Sequence, residues 1–401
     1  MLIGALAMLA PGQASSGLSL SVREMESPAE PAGGQPNLYA ADGRVYLTWI
    51  APKGERGHAL RFAVRDGGLW SEARTIAEGE NWFVNWADFP SLVALPGGKL
   101  AAHWLVKSGP GTYSYDVHIA RSTDDGKIWS RPFVPHRDGK QTEHGFVSLL
   151  PWDGGRVAAM WLDGRNLKAD SHESHGSSTG AMSLRFTTVG INGEMSEDML
   201  LDPRVCECCQ TSAALTADGA IVAYRDRSEK EVRDISVIRF SKGKWTQPQN
   251  LHPDGWHIEG CPVNGPSVAA SERRVAVAWF TAANETARVK VAFSTDSGAT
   301  FGQPIQVDEG SPVGRVDVLM LDDGSALVSW LERAAQGADI RLRRIQPDGS
   351  RDKSVIVAQS SAARASGFPQ MARAGDEVII AWTQAGTPPK VRVAAVRLSR
   401  S

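Results

Sequence analysis

Three of the chain's four cysteines crowd into one short stretch, Cys206, Cys208 and Cys209 of "RVCECCQTS", and the fourth is Cys261 of "EGCPVNGP". Sulfurs so placed support two kinds of chemistry. In an exported protein disulfides are the first expectation. Cys261 would then pair with one of the three, and a second bridge would join Cys206 to Cys208, Cys206 to Cys209, or Cys208 to Cys209 in a tight, easily reduced ring. The alternative is a thiolate metal site, with two or three sulfurs and His257 or His144 around Cu or Zn, the soft ions that thiolates select. C-x-C-C is not a standard zinc-finger spacing, and no second C-x-x-C completes one. The two readings predict opposite responses to reductant.

Other chemistry-bearing residues cluster in comparable stretches. Glu143 and His144 of "TEHGF", with Asp163, are acid/base candidates, because a carboxyl beside an imidazole in a partly enclosed loop can acquire a shifted pKa. Arg165, Arg225 and Arg227, with Asp163 and Asp226 beside them, could grip a ligand carboxylate or pair internally with those aspartates. Trp82 and Trp86 of "ENWFVNWADFP" and Trp256 of "HPDGWHIEGC" are aromatic platforms for a sugar ring, or loop packing. Six of the nine histidines, His136, His144, His172, His175, His252 and His257, fall in the same loops, and "HESH" at 172–175 is a short metal-type pattern.

The elements that position these residues follow from an internal repeat. A short strand, a turn often carrying Asp-Gly or Gly-Gly, and a β-rich run ending in an aromatic recur seven times, closing at Trp49, Trp104, Trp161, Tyr224, Trp279, Trp330 and Trp382. Each copy is followed by a third strand ("VHIARST", "MSLRFTT", "ISVIRFS", "VKVAFST", "VRVAAVRL") and, except in the last, a fourth. Four antiparallel strands at this spacing read as propeller blades. The last unit lacks its own fourth strand, which "GLSLSVREM" can supply, hiding two sheet edges. The expectation is an all-β fold, a seven-bladed β-propeller of four-stranded antiparallel blades over 17–401, closed by an N-terminal strand; six blades plus an irregular unit is the fallback. In such a blade the loops after the second strand and those leading into the next blade share one face, and the residues singled out above all fall there.

The turns between third and fourth strands carry a resemblance. "STDDGKIW" (122–129) and "STDSGATF" (294–301) match the Ser-x-Asp-x-Gly-x-x-aromatic Asp-box of sialidase-like (BNR-repeat) propellers, with worn copies "RDGGLW" and "SKGKW". The chain is similar to that superfamily over its whole length after the N-terminal segment, which implies a sialidase-like propeller whose boxes lie away from the ligand face. True sialidases use a tyrosine nucleophile late in the chain and an arginine triad beginning in a Phe-Arg-Ile-Pro-like motif. Here the last tyrosine is Tyr224, and the nearest stretch to that motif, "ADFPSL", offers Asp88 and no arginine. The resemblance thus implies the fold and a small-molecule or glycan ligand, with an exo-sialidase-like hydrolase of acidic sugars, or a protein-binding scaffold, as alternatives.

Composition bounds the rest. Forty Gly, twenty-two Pro, thirteen Trp and 42% hydrophobic residues describe a turn-rich chain with much to bury, and a net charge of −2 gives no field for nucleic acid. Residues 1–16, "MLIGALAMLAPGQASS", have the apolar run of a signal peptide without its positive start, so the chain is expected to be periplasmic or secreted, with no membrane span in the mature part.

Overall fold

In the computed structural model, residues 18–167, 180–190 and 192–400 are described, and they form seven antiparallel sheets with short 3-10 turns as the only helical pieces among them. Blade 1 runs Gly34–Ala41, Arg44–Lys53 and Gly57–Asp66, with its outer position shared by Leu69–Trp70 and Arg74–Gly79. Blade 7 runs Gln370–Ala374, Glu377–Gln384 and Lys390–Arg400, and its outer strand is Leu18–Met25, paired from Leu18 opposite Arg400 to Met25 opposite Val393. The expected N-terminal closure is therefore present. It brings Leu18–Met25 and Lys390–Arg400 together in one sheet and covers the outer edge of the latter strand. Blade 2 is the thinnest: Ser91–Leu95, Lys99–Lys107 and Tyr115–Ser122 form three strands, and a single bridge from Ile119 to Phe133 stands where the fourth would run.

The aromatic that ends each repeat is a girdle residue on the second strand. Trp49, Trp161, Tyr224, Trp279 and Trp330 are all fully buried, and Trp104 and Trp382 nearly so. Burying an indole or a phenol leaves a donor to satisfy. Five of the seven solve this with a carboxylate: Trp49 donates to Glu30 (2.7 Å), Trp161 to Asp163 (2.8 Å), Tyr224 to Asp202 (2.6 Å), Trp279 to Asp254 (2.7 Å) and Trp330 to Glu332 (2.6 Å). Five carboxylates are thereby committed to holding the blades.

The two Asp-box turns fold as their residues dictate. Asp124 Oδ1 accepts from Ser122 Oγ (2.7 Å) and the Ile128 amide (2.9 Å), and Asp296 Oδ1 accepts from Ser294 Oγ (2.7 Å) and the Thr300 amide (2.9 Å). Gly126 and Gly298 sit at φ 78°, where a side chain is strained, and a Cβ would overlap Phe62 in one case and Ile221 in the other. Left-handed strain and overpacking each cost about 1–3 kcal/mol. Gly298→Ala is expected to lower stability by about 3 kcal/mol in denaturant titrations; a loss under about 0.5 kcal/mol would show that the turn does not lock blade 5 against blade 4.

The first strands surround an axial channel lined by Ser91, Ser148, Thr211, Ser267 and Asp317, while a second cavity opens at the rim of the loop face. Residues 1–16 and the pair His172 and His175 lie outside the described residues, and no described helix is long and apolar enough to cross a membrane.

Candidate functional site

The rim cavity collects residues from the segments leading into blades 2, 3, 4, 5 and 7 and from one loop within blade 2. Its floor is Tyr115, at the start of the third strand of blade 2, whose hydroxyl lies 3.0 Å from Glu143 Oε1 and 3.1 Å from Asp88 Oδ2. All three side chains are buried. A phenol has one proton and two carboxyl neighbours here, so a second proton on a carboxyl is needed for both contacts to be hydrogen bonds. Burial drives the same outcome: desolvation raises Glu143 to about 8 and Asp88 to about 7, against the hydrogen bonds from Tyr115, and from the Phe146 amide in the case of Asp88, that favour the charged forms. Burial and the two carboxyls hold the Tyr115 phenol well above its usual range. At neutral pH the trio therefore contains a protonated carboxyl and a carboxyl poised to ionise, the pairing from which acid/base chemistry is built.

Asp88 owes its place to a backbone device that recurs. The first strand of blade 3 begins with a bulge at Gly145 and Phe146 (φ 53°), and the Phe146 amide donates to Asp88 Oδ1 at 2.8 Å. In blade 6 the equivalent bulge falls at Gly314 and Arg315 (φ 54°), and the Arg315 amide donates to Asn264 Oδ1 at 2.7 Å. A neutral amide performs the capping there. The carboxyl at position 88 exceeds what the bulge requires, and its second oxygen is the one aimed at Tyr115. A Cβ at Gly145 would overlap Asp88 Oδ2 and crowd Tyr115, so the close approach depends on that glycine.

The upper walls are aromatic and charged. Trp86 stacks on Phe368 (5.8 Å, 17°), the exposed Arg364 places its guanidinium 6.0 Å over the Trp86 ring, and Phe83 stacks on Tyr115 at 3.9 Å. Glu207, Cys208 and Cys261 close the opposite side.

Sequence reasoning named several of these residues and misplaced others. Glu143, Trp86, Cys208 and Cys261 line the cavity; Asp88, Tyr115 and Arg364, absent from the candidate set, do as well. His144 is fully buried and faces away. Its ring stacks on His136 at 3.6 Å, between Asp116 (3.5 Å) on one edge and Asp138 (3.3 Å) on the other. The Val117 amide donates to His136 Nε2, consistent with a neutral His136, whereas the surrounding carboxylates outweigh burial at His144 and raise it to about 9. Asp163 is spoken for by the Trp161 indole and a bidentate contact from Arg165 (2.7 Å each), which also reaches Asp198. His144 and Asp163 thus form an internal ionic core beneath the loops, outside the cavity.

The arginines likewise turn inward. Arg225 is buried and donates to the carbonyls of Arg233 (2.6 Å), Asn264 (2.7 Å) and Phe280 (2.7 Å), with Trp256 lying against its guanidinium at 4.8 Å. Arg227 is held by Glu231 and Glu207, and Asp226 accepts from the Arg227 amide and Ser236. Of the two alternatives for this set, internal pairing is the arrangement present. Trp82 is buried against Trp104 and Trp256 beneath Arg225, so among the three loop tryptophans Trp86 alone lines the cavity.

The three clustered cysteines occupy a turn between the outer strand of blade 3, Met199–Val205, and the first strand of blade 4, Ser212–Thr216. No disulfide joins the four cysteines in this structure, and Cys206 Sγ lies 3.6 Å from Cys209 Sγ and 3.9 Å from Cys208 Sγ. His257 is exposed and outside this group.

No family model matches the chain, and no curated protein matches it. Solved structures do. An ulvan lyase of a new polysaccharide-lyase family aligns with a TM-score of 0.57 at 12% identity, covering 92% of this chain and 95% of its own. A protein of unknown function from Dyadobacter fermentans aligns at 0.53 and 16% identity (94% and 99% covered), and a Hadza microbial sialidase at 0.52 and 15% (84% and 73%). The fold is a seven-bladed β-propeller shared with these solved structures. At these identities the likeness speaks for the scaffold, and an alpha-L-arabinofuranosidase from Fusarium graminearum shares it too, with a TM-score of 0.51 at 14% identity, covering 91% of this chain and 93% of its own. The chemistry of this propeller must therefore be argued from its own residues.

Proposed function

We propose that this propeller is an exported glycan-active protein whose rim cavity binds an acidic sugar and cleaves its glycosidic bond by acid/base catalysis. The observation that carries the reading is the Tyr115 hydroxyl set between Glu143 and Asp88 at 3.0 and 3.1 Å. Glu143 protonates the leaving oxygen while Asp88, as the carboxylate, attacks the anomeric carbon; water, deprotonated by Glu143, then displaces Asp88 and releases the sugar, with Tyr115 orienting both carboxyls. The Tyr115 hydroxyl bridges one oxygen of each carboxyl, so those two oxygens lie no more than about 6 Å apart, which suits the retaining course in which the second carboxylate is the nucleophile. Trp86 supplies a face for a sugar ring and Arg364 a cation for its carboxylate. The carbohydrate-active neighbours, one an ulvan lyase and others a sialidase and an arabinofuranosidase, support a glycan as the ligand class.

The test is turnover and binding across fluorogenic α-sialosides, β-glucuronides and α-L-arabinofuranosides. Asp88→Asn keeps the acceptor for the Phe146 amide and is expected to fold normally while lowering kcat by about 100-fold or more. Undiminished kcat in Asp88→Asn, or no binding of any acidic glycan by the wild-type chain, would overturn the reading. Export is checked by fractionating cells that express the full chain: recovery in the cytoplasm would refute it.

A further inference from the structure

The cysteine turn combines three features that glycan cleavage does not use. Three sulfurs meet in one turn, Cys206, Cys208 and Cys209 all lying within 4.8 Å of one another. A hydrogen bond links Cys208 to Cys261 from the neighbouring blade, and both of these line the rim cavity. Two nitrogen donors point at the sulfurs from the far side: Arg233 Nη1 lies 3.2 Å from Cys206 Sγ, and the Asn264 amide lies 3.4 Å from Cys209 Sγ.

Spacing and charge both suit a soft ion. Metal–sulfur bonds of about 2.3 Å place ligand sulfurs about 3.8 Å apart in a tetrahedron and about 4.0 Å apart in a trigonal plane. The observed 3.6 and 3.9 Å separations lie close to both values, and the third pair, Cys208 and Cys209, lies within 4.8 Å. Three thiolates around a monovalent or divalent ion leave net negative charge in a buried place, which must be offset. The buried Arg233 does so at Cys206, and it is itself oriented by Glu207 (2.7 Å) and Glu231 (2.9 Å), so its direction is fixed before an ion arrives. N–H donors on ligand sulfurs are the outer shell that such sites require. The hard carboxylates nearby, Glu207 and Glu231, are consumed by Arg227 and Arg233, which removes the ligands that a hard cation would seek.

We propose that Cys206, Cys208 and Cys209 form a binding site for a soft, thiophilic d10 ion, Cu(I) with these three sulfurs or Zn(II) with Cys261 as the fourth. The ion ties the turn ahead of blade 4 to the cavity wall, and Cys261 decides which ion is held. The inference is independent of the glycan reading, since uptake is measured without any sugar.

Fully reduced, metal-free protein is titrated anaerobically with Cu(I) or with Zn(II) against a chromophoric chelator. About one ion per chain is expected, with Cys208 becoming protected from alkylation by either ion and Cys261 by Zn(II). Cys206→Ser and Cys209→Ser should each weaken binding by about 100-fold or more, and Arg233→Gln by about 10- to 100-fold. Cys261→Ser separates the ions: loss of Zn(II) affinity with Cu(I) retained within about tenfold is expected, and loss of both ions, or of neither, would overturn the role given to Cys261. Should Cys206→Ser fail to fold, alkylation protection of the wild-type chain still decides. Uptake under about 0.2 equivalents of both ions, uptake indifferent to Cys208→Ser, or native protein that lacks titratable thiols, carries disulfides and takes up no ion after reduction would each overturn the site.

Discussion

Glu143→Gln is expected to abolish turnover and at the same time to stabilise the folded chain at alkaline pH. The first effect follows from removing the proton donor, with a loss of about 100- to 10,000-fold in kcat. The second follows from linkage. Glu143 is raised to about 8 when folded, so between about pH 4.5 and 8 the folded chain holds a proton that the unfolded chain has released. Stability therefore falls as pH rises across that window, and the loss is complete above it. A glutamine keeps the acceptor for Tyr115 and carries no charge to desolvate. Thermal melts from pH 5 to 9 should show the wild-type curve descending more steeply, with the variant the more stable protein at pH 9. Asp88, raised to about 7, titrates jointly with Glu143 and still contributes in the variant, and the His144 imidazolium adds a downward slope to both proteins, so the difference between the curves reports Glu143 together with its coupling to Asp88. Parallel curves would mean that Glu143 is ionised without cost, and the cavity would lose its acid.

The scaffold was legible in the sequence because each of its demands repeats. Seven aromatics at the same point of seven alternating runs record seven second strands, and the "GLSLSVREM" stretch could be assigned because one unit lacked an edge partner. The cavity was only half legible, because its groups are spread through the chain. Asp88 and Glu143 are brought together by Tyr115, which lies 27 residues from one and 28 from the other. In "YSYDVHIARST" that tyrosine reads as one more strand aromatic. Arg364 stands alone in "SAARASGFPQ", with no pattern to mark it.

The Glu143–His144 pair shows why adjacency misled. Successive residues of a strand point to opposite faces, so two neighbours at a strand start cannot both face one cavity. Glu143 turns to Tyr115, and His144, the first residue of the strand, turns to the ionic core with Asp116, Asp138 and Asp163. Reading the chain by period two would have assigned only one of them to the site. The cysteines were legible as a cluster, and the neighbouring-blade argument correctly brought Cys261 to Cys208. What no spacing could reveal was Arg233, which sits 27 residues from Cys206 and arrives through the hairpin of blade 4.

Arg225→Ala is expected to be the most damaging single change to stability, about 3–5 kcal/mol, with no specific effect on ligand recognition. Arg225 is only 1% exposed, and its guanidinium spends its donors on three carbonyls, those of Arg233, Asn264 and Phe280, from separate stretches of blades 4 and 5. Each buried carbonyl left unpaired costs about 1–3 kcal/mol, and the Trp256 face loses its cation as well. Lysine would not rescue the loss, since a point charge with three donors cannot reproduce a planar fork that serves three directions. The prediction also separates two roles for arginine on this face. If Arg225 gripped a ligand carboxylate, its removal would raise KM and leave the melting temperature nearly unchanged. With the contacts described here the melting temperature falls, and KM for an acidic glycan in whatever protein remains folded stays near wild type. Arg364→Ala should do the reverse, raising KM while the fold is untouched, because its guanidinium is exposed at the cavity rim and lies over Trp86. Measuring both variants by thermal melt and by KM assigns the cation that meets the ligand; a KM increase confined to Arg225→Ala would hand that role back to the buried residue and move the binding site off the rim.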